Sequence, residues 1–360
     1  MNEIAVKLAQ IRGAMREHRL GAVRLRGSDW YAWATAGASN VVLLAAETGV
    51  AEVLVTADGA WVLTDVIEAE RLAGEGFPQG FTLWSHAWQQ PALREEMVRE
   101  MAGGAIVASD RPSSGEVSLP PQLEQQKLRL CEEEIGRYRA LSVESAQAMT
   151  EVLQAARPEH TEHELAAACA HALMARGIEP LLVQAGGEER VARFRHLLPT
   201  AARLGSRAML AICARRCGLV ASATRFVYFR QPTSQERRWT QDVAHIEAAC
   251  FRACGAGRPM REIYATLAAA YETAGHAEQI DRHHQGGLAG YRAREIVASP
   301  HTDAPVPPRC AMAWNPSLPG AKIEDTVAAD AGAIEVLTAD PAWPVFEVDG
   351  RARPDLLVRP

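Results

Sequence analysis

The run Arg111-Pro-Ser-Ser-Gly-Glu-Val-Ser-Leu-Pro-Pro121 interrupts the chain about a third of the way along. Rich in Pro, Ser and Gly, it is the best candidate for a boundary between domains. The 360 residues therefore read as two domains, 1–115 and 122–360. A hydrophobic fraction of 48% gives each domain material for its own core.

Before the break, strand and helix alternate. Ile4, Leu8, Ile11 and Met15 follow helical spacing over residues 4–20. Gly21–Arg26 and Val41–Ala45 read as strands. Glu52–Thr56 and Trp61–Thr64 read as a hairpin, with Asp58-Gly59 supplying the turn. Helices are expected over 66–73 and 91–102, with strands at 81–84 and 105–108. After the break, a long helical region is expected from Gln122 to about Ala156. A second opens at Thr161 with Glu164 completing a capping box and stops at Gly177. A strand pair at 207–214 and 218–229, helices at 234–253 and 259–274, and further strands from 283 complete the reading.

Composition excludes several classes. No apolar run reaches the roughly 18 residues of a membrane span. The start of the chain lacks a basic-then-apolar leader pattern, so secretion is not expected. The seven cysteines are an odd and scattered set, which points to a reducing cytoplasm and not to a disulfide framework. Net charge is −6 with arginines dispersed, so no nucleic-acid-binding face is expected.

Several motifs occur in order in the second half. Glu134-Ile-Gly-Arg-Tyr-Arg-Ala140 is followed by Arg157-Pro-Glu-His-Thr-Glu-His-Glu-Leu165, Cys217-Gly-Leu-Val-Ala-Ser-Ala-Thr-Arg225 and His283-His-Gln-Gly286. Ala313-Trp-Asn-Pro316 and Gly320-Ala-Lys-Ile-Glu-Asp-Thr-Val327 come next, the latter paired at a short distance with Glu335-Val-Leu-Thr338. This series resembles the creatinase/prolidase/aminopeptidase P family of the methionine aminopeptidase superfamily. The resemblance implies an α/β (α+β) protein, with a C-terminal pita-bread domain and a smaller mixed α/β creatinase-type N-terminal domain. It also implies a homodimer.

In that family two divalent ions, held by two Asp, one His and two Glu, activate a water that attacks the scissile amide. The resemblance places the two Asp at Ala211 and Ser222, the His at His283 or His284, the first Glu at Asn315 and the bridging Glu at Glu324. Alanine offers no donor atom, while Ser222 and Asn315 offer neutral ones. Four carboxylates normally offset two dications, roughly −4 against +4, and here one carboxylate would face the same charge. An ion pair left uncompensated in an enclosed site is costly. No metal and no other cofactor is therefore expected.

The expectation is a metal-free, peptidase-like homologue that binds a small amide, amidine or short peptide-like molecule, with little or no metallopeptidase activity. One alternative resembles creatinase, which uses this fold without metals and a loop His as acid/base. In that reading His283 or His284 is the acid/base and Glu324, itself a catalytic candidate, holds substrate with Glu295 and Arg292; Arg292 and Arg294 are candidates to address a ligand carboxylate. His196, Asn315 and Ser222 are further candidates for contact with the ligand. The other alternative is an active Xaa-Pro peptidase with an unconventional metal site. Cys213 with Cys217, and Cys250 with Cys254, lack zinc-motif spacing and read as small packing residues. Trp314 and Trp343 read as core.

Overall fold

The computed structural model describes residues 2–330 and 332–359. The chain forms two compact units, one made of residues up to Glu134 together with Cys217–Leu219, the other of Ile135–Arg216 and Val220 onward.

The first unit is built on a six-stranded mixed sheet. Its order is Thr82–His86, Ala60–Asp65, Thr48–Val55, Ala22–Gly27, Val107–Ser109 and Glu116–Ser118. The Asp58-Gly59 hairpin forms as expected, with Val55 opposite Ala60. Asn2 caps the helix Glu3–His18 by accepting the Ala5 N–H. Val41–Ala45 is a correction: these residues form an irregular loop, and Val42 and Leu43 are exposed. Their apolar run lacks the alternation of a half-buried strand. The chain instead folds around Asn40, whose amide donates to the Ala51 carbonyl, and rejoins the sheet at Thr48.

The proline-rich run also departs from expectation. Glu116–Ser118 pairs in parallel with Val107–Ser109, and Arg26 pins the turn before it by donating to the Arg111 carbonyl and the Glu116 carboxylate. Pro121 is the first residue of the helix Pro121–Leu128, a position where its missing N–H costs nothing. The run is thus folded into the first unit, and the units divide near residue 134. The long helical region expected after it is made of two helices, Pro121–Leu128 and Glu132–Ala155.

In the second unit, a four-stranded sheet runs in the order Leu357–Val358, Leu219–Tyr228, Arg207–Arg216 and Glu179–Gly187. A five-stranded sheet runs Ile296–Val297, Gly286–Ala289, Arg309–Trp314, Asp325–Asp330 and Ala333–Val336. The helices Glu162–Met174 and Ser234–Ala253 each begin with a capping box, at Thr161/Glu164 and Thr233/Glu236. Cys217 and Gly218, both at positive φ, make the two-residue turn between Arg207–Arg216 and Leu219–Tyr228, as a primed hairpin turn requires. Trp314 and Trp343 are buried, as expected.

One stitch joins the two sheets. The Thr326 hydroxyl accepts the Ser222 N–H at 2.7 Å and donates to the Ser222 carbonyl at 3.0 Å. Beside it, Asp325 accepts from Arg225 and Thr338 on one oxygen and from Arg353 on the other, and Arg353 also binds Glu247. This buried network explains why Glu335–Thr338 accompanies the Gly320–Val327 motif: Thr338 supplies a hydroxyl to Asp325.

Candidate functional site

Side chains alternate along extended backbone, so adjacent motif residues face opposite ways. Asp325 points to the buried network. Glu324 points into a cleft with a cavity of about 110 Å3, room for several waters or a small ligand group. Ala211 and Cys213, two residues apart on Arg207–Arg216, line the same cleft, with His196, His284, Arg294, Asn315 and Lys322.

Both Glu324 oxygens are taken. Oε1 accepts from the Arg294 guanidinium at 2.8 Å. Oε2 accepts from the Thr224 hydroxyl at 2.7 Å and lies 2.9 Å from Lys322 Nζ. Burial by itself would raise this carboxyl, but the Lys322 and Arg294 charges, with hydrogen bonds from Lys322 and Thr224, outweigh it and hold Glu324 ionised far below the usual carboxylate range. Arg294 also donates to the Ser222 hydroxyl at 3.3 Å, and Ser222 lies 3.5 Å from Cys213 Sγ. The charged side chains lining the cleft are thus two cations and one carboxylate.

The paired histidines are set by glycines. Gly286 and Gly287 have φ of +108° and +156°, and a Cβ on either would lie 2.1 Å from a facing carbonyl oxygen. Gln285 is held by Tyr271 and donates to the Ile280 and His283 carbonyls, so the turn carrying both rings is braced from behind. His283 and His284 stack with ring centroids 4.5 Å apart, and His196 Nε2 lies 3.0 Å from His283 Nε2. Burial first, then the Lys322 charge, pushes His283 down to about 3. Burial and then Arg294 push His284 down to about 4, and burial followed by Lys322 lowers His196. Burial and the neighbouring cations thus disfavour the charged form of all three rings. Of the doublet, His284 is the one that lines the cleft beside Ala211, Asn315 and Glu324.

The remaining sequence candidates divide. Asn315 lines the cleft, and its Oδ1 is buried without a hydrogen-bond partner. Ser222 is buried behind Arg294. Glu295 accepts the backbone N–H groups of Tyr291 and Arg292 and so closes a local turn, and neither it nor Arg292 lines the cleft. Burial, then the Glu324 charge, raises the Cys213 thiol, which stays protonated, and Cys254 Sγ donates to the Cys250 carbonyl. Lys322 and Thr224 were not among the sequence candidates. Lys322 stands two residues before Glu324, and that spacing along an extended segment was the available signal.

The family's two-metal centre does not fit these residues. Ala211 belongs to an apolar cluster with Val191, Leu197, Met209 and Phe226. The carboxylate that would bridge the ions is saturated by Arg294, Lys322 and Thr224, and the Ser222 hydroxyl faces a guanidinium.

The profile of metallopeptidase family M24 matches residues 137–331. The chain belongs to this family. No curated protein matches it in sequence. Among solved structures, the prolidase from Pyrococcus horikoshii OT3 superposes with a TM-score of 0.79 at 15% identity, covering 92% of this chain and 98% of that one. The Xaa-Pro dipeptidase from Bacillus anthracis gives 0.77 at 17% identity, with 99% of each chain covered. The N-terminal domain of FACT complex subunit SPT16 from Cicer arietinum gives 0.68 at 11% identity, covering 94% of this chain and 96% of that one. These likenesses establish the fold. The family member described here has the expected pita-bread architecture with its smaller N-terminal domain. Among the described residues, no helix is long and apolar enough to cross a membrane.

Proposed function

We propose that this chain is a peptidase-like M24 protein that binds a small, carboxylate-bearing amide or short peptide in the cleft, with little or no metallopeptidase activity. The observation that supports this most is the saturation of Glu324 by Arg294, Lys322 and Thr224. Two cations against one carboxylate favour an anionic group and disfavour the amidine considered from sequence. The unpartnered Asn315 Oδ1 suits an amide N–H of such a ligand. Family resemblance further supports a cytoplasmic homodimer.

The creatinase-like reading, with a His as acid/base, has less support. Rings pushed down to about 3 and about 4 are weak bases and poor proton carriers near neutral pH. Glu295 is engaged in its own turn, and Arg292 is off the cleft.

The test is calorimetric titration with an Xaa-Pro dipeptide and with its C-terminal amide, alongside a hydrolysis assay in excess manganese. Binding of the dipeptide, weaker binding of the amide and no turnover are expected. Stoichiometric manganese with dipeptide turnover would overturn the proposal.

A further inference from the structure

His196, His283 and His284 each offer a ring nitrogen, and the three atoms lie within 4.8 Å of one another. They come from two segments far apart in sequence. His196 sits in the loop after the short helix Glu188–Arg193, whose neighbour Leu197 is anchored in the apolar cluster around Ala211. The doublet follows the turn Ala277–Arg282. The Arg195 guanidinium donates to the Gln279 side chain, tying the loop of His196 to that turn. Gln285 braces the doublet from behind, as described above. The trio is thus preorganised by its own supports.

We propose that these three imidazoles bind a single late first-row divalent ion, with zinc the natural probe. A four-coordinate zinc with bonds of about 2.0–2.1 Å to nitrogen separates its ligand atoms by about 3.3 Å. His196 and His283 already stand at 3.0 Å, so a small opening of the pair admits the ion between them. Three neutral nitrogen donors suit zinc, nickel or copper and not manganese, magnesium or calcium. Three protein ligands leave a fourth position open. His284 lines the cleft, so that position can face Asn315 and Glu324. Lys322 and Arg294 face the trio with positive charge and Glu324 offsets one of them, which sets the affinity below that of an all-anionic site. This site is distinct from the family's two-metal centre, since of the family's ligand positions it uses only the histidine. It does not depend on which small molecule the cleft takes.

The experiment is calorimetric titration of the untagged, chelator-treated full chain with zinc chloride, repeated with manganese chloride. One equivalent of zinc should bind at micromolar protein, and manganese should not saturate. His196→Ala, His283→Ala and His284→Ala should each weaken zinc binding by about tenfold or more, while His245→Ala leaves it unchanged. Cobalt in place of zinc should give the visible absorption of a four-coordinate ion. His196 and His284 are less enclosed than His283, so their variants carry the test even if His283→Ala fails to fold. Absence of saturable zinc binding, or zinc binding indifferent to His196 and His284, would overturn the proposal without touching the ligand reading above.

Discussion

Arg294 and Glu324 meet at 2.8 Å in the cleft, and the same guanidinium reaches the Ser222 hydroxyl. One side chain therefore sits between two positions that the family resemblance assigns to metal ligands. Lys322 completes the neutralisation from the other carboxylate oxygen.

Removing the carboxylate leaves both cations under-compensated in a largely buried setting. Glu324→Gln should destabilise the second unit by about 3 kcal/mol, in the range for breaking one side of a buried ion pair. Urea denaturation checks this. A cost well under 1 kcal/mol would mean that Lys322 and Arg294 are solvated and Glu324 free to act.

Restoring donors alone should not restore the family centre. The triple variant Ala211→Asp, Ser222→Asp, Asn315→Glu keeps Arg294 between the new carboxylates, and the guanidinium should bind them in place of manganese. Elemental analysis should find well under one manganese per chain. Adding Arg294→Ala should raise manganese uptake above that of the triple variant.

Glu247 gives a pH signature. It shares Arg353 with Asp325, and its Oε1 is buried without a hydrogen-bond partner. Burial pushes its carboxyl up to about 7, with the Asp325 charge adding to the rise and Arg353 opposing it. A carboxyl whose folded pKa lies above its unfolded value favours folding below the unfolded pKa. That contribution is lost as pH climbs from about 4.5 to about 7. Unfolding free energy measured across this window should therefore carry a downward component, and Glu247→Gln should flatten it.

Gly286 tests the support of the doublet. An alanine there would place a Cβ 2.1 Å from the Ala313 carbonyl oxygen at a φ that side chains avoid. Gly286→Ala should lower stability by about 3 kcal/mol or more, since only backbone movement relieves the contact. Gly257→Ala, with φ of +81° but open space around it, should cost much less. Thermal melts of the two variants compare them directly.

Much of the fold was legible because its signals are local. Capping boxes, the Asp58-Gly59 turn and helical spacing depend on neighbours within four residues, and these elements stand where expected. The Val41–Ala45 loop and the folded proline run were misread because distant contacts decided them, Asn40 with Ala51 and Arg26 with Glu116. The site divides in the same way. Glu324 and His284 came from motifs. Thr224 is brought to Glu324 across 100 residues, and His196 to His283 across 87. No spacing rule reports such pairings.

Glu324 and Asp325 are neighbours in sequence yet face separate environments. Asp325, Thr326 and Thr338 work in the interior, where a change is felt by folding alone; Glu324, Lys322 and Asn315 face the cleft, where a change is felt by whatever enters it as well as by folding. The two halves of the motif can therefore drift at different rates. A descendant can trade reactivity for recognition residue by residue while its architecture, and with it the family signature, survives intact.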